Sequence, residues 1–151
     1  MLTRSRIVGL MVLCLCAAAH AEDAPATQPS TQPAVISAGD AATLAAKKGE
    51  TVTVEGVIAK AEWSKSGKVF NVEFKDIEAD KGLMVSAFQK NKEKLDAAFD
   101  GDAAAKLTGA KIQITGKLEV YGGKIEKFKD RLQIVIQNPQ QITIVEPAPK
   151  P

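Results

Sequence analysis

Two long alternating runs, each broken by one glycine, constrain this chain more than any other feature. In residues 51–62 (TVTVEGVIAKAE), Val52 and Val54 share one face and Thr51, Thr53 and Glu55 the other, as a period-two strand requires. Gly56 then interrupts the alternation. In residues 111–121 (KIQITGKLEVY), Ile112, Ile114, Leu118 and Val120 face one way, and Gly116 interrupts them in the same manner. A glycine midway along a strand marks a bulge, a kink or a sharp bend. Two such strands call for a sheet that curves strongly, as a small closed barrel does.

The segments between these runs supply the rest of a barrel. Asp40 is placed to cap a short helix over Ala41–Lys48, with Gly49 beyond its end. Ser64–Lys68 reads as a turn. Val69–Lys75 alternates with Phe70, Val72 and Phe74 inward, and Leu83–Phe88 is a third strand. The period then changes. Asn91–Leu107 sets Leu95, Ala98 and Phe99 at helical spacing, and Gly101 weakens its middle. After the Gly122-Gly123 turn and a charged stretch, Arg131–Gln137 carries Leu132, Ile134 and Ile136. Asn138-Pro139 turns the chain again, and Gln141–Val145 is a last short strand. Three strands, a helix, then two or more strands is the order of the mainly β, five-stranded OB barrel, whose helix lies between strands three and four. An open sheet packed on a helix has the same order but would not need both mid-strand glycines.

The first residues read as a leader and not as part of the fold. Arg4 and Arg6 precede a short apolar run, Ile7–Ala19, of about 13 residues, and Ala19-His20-Ala21 offers small residues for signal cleavage. A spanning helix needs roughly 20 apolar residues, so cleavage near Ala21 and export to the periplasm or medium are expected, with no integral membrane association afterwards. Retention through a lipid on Cys14 or Cys16 is the alternative. The expected divisions are a signal peptide over 1–21, a Pro/Thr/Gln-rich disordered linker over 22–36, the OB domain over 37–146 and a tail over 147–151. Cleavage removes Cys14, Cys16 and His20, the chain's 2 cysteines and 1 histidine. Thiolate or imidazole metal sites and Ser-His or Cys-His catalysis are then excluded. Losing Arg4 and Arg6 takes Lys plus Arg from 20 to 18, equal to the 18 Asp plus Glu, so the remaining chain is near neutral.

Several motifs carry a family likeness. Residues 49–56 (GETVTVEG), the Ser64–Lys68 turn followed by Val69-Phe70-Asn71-Val72, residues 109–117 (GAKIQITGK) and Asn138–Ile142 resemble small bacterial exported OB-fold proteins of the nucleic-acid-binding kind. The likeness covers about residues 37–146. It departs in the loop after Tyr121, which is longer, basic and interrupted by Glu126 and Asp130.

In OB folds the ligand crosses strands two and three between the loop joining strands one and two and the loop joining strands four and five. Carried onto this chain, those loops supply Trp63, Ser64, Lys65, Ser66 and Lys68 on one side, and Tyr121, Lys124, Lys127, Phe128, Lys129 and Arg131 on the other. Cations follow a phosphate backbone, and aromatic faces accept stacked bases. Single-stranded nucleic acid, bound with little sequence preference, is the expected partner; a protein, peptide or glycan of the cell envelope is the alternative. Loop lysines also serve solubility, and Trp63 could cap the barrel. Phe70, Phe74 and Phe99 read as core, while Phe88 fits either face. Asp76, Glu78 and Asp80 lack the glycine and distal glutamate of a calcium loop. No catalytic residue, metal ligand or cofactor is expected, and the chain reads as a binding module, not an enzyme.

Overall fold

A computed structural model describes residues 34–78 and 82–149. The expected signal peptide, all of the linker before residue 34, Asp80 and residues 150–151 lie outside them. Seven strands form: β1 (Val35–Ser37), β2 (Thr51–Trp63), β3 (Val69–Phe74), β4 (Met84–Phe88), β5 (Lys111–Val120), β6 (Leu132–Ile136) and β7 (Ile142–Glu146). The sheet order β1-β2-β3-β4-β6-β5-β7, with a further β2–β5 pairing, closes β2, β3, β4, β6 and β5 into a five-stranded barrel. β4 and β6 are parallel, and the other barrel pairs are antiparallel. This is the OB fold.

Closure depends on β2 and β5 each serving two partners. Residues Thr51–Val57 of β2 pair with β5, and from Ile58 onward β2 pairs with β3. Likewise Lys111–Lys117 of β5 pair with β2, and Leu118–Val120 pair with β6. Gly56 and Gly116 each stand two residues before the changeover. The reason for glycine is close approach more than a bulge, since the β2 irregularity falls between Ile58 and Lys60. A Cβ on Gly56 would meet Phe74 Cδ1 at 2.6 Å, and one on Gly116 would meet Ile134 Cγ2 at 2.5 Å. Both positions face inward, where side chains from the opposite wall fill the bend.

The core follows the expected alternation, with Phe70, Val54, Ile112, Ile114, Leu118, Ile134 and Ile136 fully enclosed. Helix α1 (Ala41–Ala46) begins as expected: Thr43 N–H donates to Asp40 Oδ1 at 3.0 Å. It ends two residues earlier than its expected Lys48 limit, and Leu44 is its one buried residue. The helical stretch between β4 and β5 is broken. α2 (Lys92–Ala98) and α3 (Ala103–Leu107) are separated at Asp100 and Gly101, both with positive φ (57° and 93°). Asp102 caps α3 by accepting from Ala105 N–H. Together α2 and α3 seal one end of the barrel with Leu95, Ala103 and Leu107.

Two boundaries differ from those expected. Val35 and Ile36, assigned to the linker on composition, form β1 with Ser37 and pair in parallel with Thr53–Glu55 of β2. Three residues alone carry no legible period, so their pairing is a tertiary effect. In the expected tail, Ala148 packs against the core and lies beside Gly109.

Candidate nucleic-acid interface

The loop between β2 and β3 is a tight turn held by its own polar groups. Ser64 N–H donates to Val69 O at 2.7 Å, and Gly67 N–H donates to Ser64 O at 2.7 Å with φ of 69° at Gly67. Ser64 Oγ accepts from Val69 N–H and lies 3.2 Å from Ser66 Oγ, so both hydroxyls are engaged within the turn. Lys65 and Lys68 are exposed. Trp63 has inward parity. Its ring lies 5.1 Å from Phe70 at 44°, and Lys92 Nζ of α2 stands 5.0 Å from its centroid. It therefore sits at the barrel end beneath α2, with its buried Nε1 unpaired.

The loop between β5 and β6 is built around Phe128. Tyr121 N–H donates to Arg131 O at 2.8 Å, closing the loop at its base, and Glu126–Phe128 form a single 3-10 turn. The Phe128 ring meets Tyr121 edge-on at 5.6 Å and 82°. Lys127 Nζ lies 4.7 Å and the Arg131 guanidinium carbon 5.4 Å from its centroid, both within cation–π range. The sequence shows no alternating apolar neighbours for Phe128 because its packing partners are cations and a tyrosine within the same loop. Lys129 pairs loosely with Glu126 at 3.4 Å, while Lys124 is exposed and makes no ion pair among the described residues.

The candidate residues thus gather into two clusters, one per loop, tied to opposite ends of β4. Lys68 O accepts from Gln89 N–H just beyond the last residue of β4. Arg131 Nη2 donates to Gly82 O at 2.8 Å, just before its first. The seven residue steps from Gly82 to Gln89 span about 23 Å. The loops therefore flank the outward face of β3, β4 and β6 instead of meeting. A cleft of about 690 Å³ opens between α1, the β3–β4 connection and residues 129–132. Leu44, Leu83, Val120 and Leu132 floor it, and it contains none of Ser64–Lys68.

Charge on the face between the loops is arranged differently. Lys60 and Glu62 of β2 form an ion pair at 2.6 Å, and this hydrogen bond holds the Lys60 ammonium above its ordinary pKa. Phe88, open to either face by sequence, points outward and is 45% exposed, opposite Val69. Phe88 belongs to this region although loop assignment alone did not select it. The alternation of β3 already turned Asn71 and Glu73 outward.

On the far side of the barrel, the Gln113 hydrogen bond and then Lys111 lower the Glu55 pKa, and Glu55 raises that of Lys111. Among the described residues no cluster of three or more His, Cys, Asp or Glu is placed to hold a metal ion, and no helix is long and apolar enough to cross a membrane.

No protein-family model matches the chain, and no curated protein sequence matches it. Solved structures do share the fold. An aspartyl-tRNA synthetase from Leishmania major Friedlin aligns with a TM-score of 0.52 at 12% identity, over 85% of this chain and 24% of that one. The aspartyl tRNA synthetase from Entamoeba histolytica aligns with a TM-score of 0.50 at 15% identity, over 99% of this chain and 30% of that one. The chain spans less than a third of these synthetases' length. At such identity the likeness establishes architecture alone: this is an OB-type barrel.

Proposed function

We propose that the chain is an exported OB-fold module that holds a short stretch of single-stranded nucleic acid along β4, with phosphates at the two loops. The observation that carries the reading is the anchoring of two lysine-bearing loops at opposite ends of one strand, through Gln89 N–H to Lys68 O and Arg131 to Gly82 O. Lys65 and Lys68 stand at one end and Lys124, Lys127 and Lys129 at the other. A separation of about 23 Å suits a strand laid across the sheet, and OB folds engage from about four nucleotides upward. The synthetases sharing the barrel are named for tRNA, a nucleic-acid substrate.

Export is supported by the basic, apolar and small-residue order of residues 1–21. Binding without catalysis is supported by the absence of His and Cys after residue 21.

Titration of a labelled oligonucleotide against salt tests the reading. Neutralising four or five phosphates of a single strand gives a slope of log K against log salt of about −3. No binding at low salt would end it. The second reading, a protein or glycan partner, is favoured by Phe88, whose exposed ring stands on a face that also carries Glu62 and Glu73.

A further inference from the structure

No side chain from the tip of the β5–β6 loop enters the cleft beside α1. The cleft measures about 690 Å³, and Leu44, Ile77, Leu83, Val120 and Leu132 give it an apolar floor. Residues 129–132 form one wall, but residues 121–128 of the same loop do not line it. The 3-10 turn Glu126–Phe128 separates that wall from the tip, where Ile125 is 50% exposed. One loop therefore carries an uncovered aliphatic side chain at its tip and borders an open apolar cleft at its base.

Charge on the two parts is opposite. Lys124 and Lys127 flank Ile125, both exposed and without an ion pair among the described residues. Asp76 and Asp130 stand on the rim of the cleft, exposed and likewise without an ion pair among the described residues. Of the rim cations, Arg131 donates to Gly82 O and Lys129 pairs with Glu126; Lys48, just beyond α1, is the third. Ile125 lies outside the cleft of its own molecule. The occupant that matches in both shape and charge is the same loop of a second copy.

We infer that two copies of this chain associate about a twofold axis, each seating Ile125 in the other's cleft, with Lys124 and Lys127 against Asp76 and Asp130. Because tip and cleft share one loop, the exchange is reciprocal and closes at two copies. The same pair of features on distant surfaces would instead generate an open chain of molecules. The inference does not depend on the nucleic-acid reading, but it has a consequence for it. A dimer covers Lys124 and Lys127, so a phosphate strand and a second copy compete for one loop.

Sedimentation velocity of the full chain at low salt, at concentrations up to about 1 mM, tests the pairing. The wild type should pass from monomer to dimer within that range. Ile125→Ser should weaken the dimer by about tenfold or more, the effect of withholding an aliphatic side chain from burial, whereas Ile125→Leu should retain it. Asp76→Asn with Asp130→Asn should also weaken the dimer and reduce its salt dependence, and asparagine tolerates the positive φ of 61° and 62° at these positions. Circular dichroism checks that each variant is folded. The contact itself is read by placing p-benzoylphenylalanine at position 125 and photolysing it with an isotope-labelled second copy. Crosslinks should fall on labelled peptides containing Leu44, Leu83 or Leu132. A monomer at every concentration would overturn the inference and leave the nucleic-acid reading untouched. A dimer at full strength in Ile125→Ser, or crosslinks away from the cleft, would place the contact elsewhere and overturn it equally.

Discussion

Arg131 donates from Nη2 to the carbonyl oxygen of Gly82 at 2.8 Å, joining the last residue of the β5–β6 loop to the segment that enters β4. The same guanidinium lies against Phe128, so one side chain both organises the loop and fixes it to the barrel. Its place among the loop cations is therefore partly architectural.

Replacing Arg131 with Met keeps the stem but removes the donor. Hydrogen bonds to charged groups contribute about 1.5–3 kcal/mol, and 1.4 kcal/mol is a factor of ten. Amide exchange across residues 122–130 should quicken by roughly tenfold, with β2 and β5 unaffected. Unchanged exchange in that loop would show that the contact does not hold it.

Valine at Gly56 or Gly116 should destabilise the barrel by about 1–3 kcal/mol, because Phe74 and Ile134 already occupy the space. Urea denaturation followed by Trp63 fluorescence measures this. Gly122→Ala is the control, since nothing lies within 4 Å of its added Cβ. Equal midpoints for all three variants would remove close approach as the reason for these glycines.

The Glu55–Lys111 pair makes stability depend on pH in two windows. Glu55 is held below its ordinary value of 4.5 first by Gln113 and then by Lys111, so its contribution is present above pH 4.5 and lost as pH falls through the lowered value. Lys111 is raised above 10.5, first through its hydrogen bond to Glu55, so its contribution is present below pH 10.5 and lost as pH rises through the raised value. Glu55→Gln should flatten both limbs of the stability profile. A variant whose acid limb remains as steep as the wild type would assign that limb to other carboxylates.

If phosphates are held at both ends of β4, the salt slope should divide between the loops. Lys65→Ala with Lys68→Ala should reduce its magnitude by about 1.4, and Lys124→Ala, Lys127→Ala and Lys129→Ala together by about 2.1, at about 0.7 per phosphate lost. A loop whose removal leaves the slope unchanged takes no part in binding.

The barrel was legible because its information is local. The alternation of Val52 and Val54, of Ile112 and Ile114, and of Phe70, Val72 and Phe74 gave strands and inward faces alike, and the glycines marked the two bends. Asp40 announced α1 through a cap that needs only Thr43. The break between α2 and α3 was hinted at by Gly101, whose conformation suits glycine. β1 escaped notice because three residues show no period, and it exists through pairing with Thr53–Glu55.

The candidate site was less legible, for a different reason. Sequence located the basic loops and their aromatics, yet could not say that Trp63 would turn inward beneath Lys92 or that Phe128 would be held by Lys127, Arg131 and Tyr121. The sequence by itself determined the strand faces, the bends and the residue types carried by each loop, since these depend on neighbours within a few positions. Only the tertiary structure decided that the loops stand at opposite ends of β4 and that β3, β4 and β6, which carry no lysine or arginine, lie side by side between them. That arrangement follows from which strands pair across the closed barrel, a property of contacts between residues far apart in the chain.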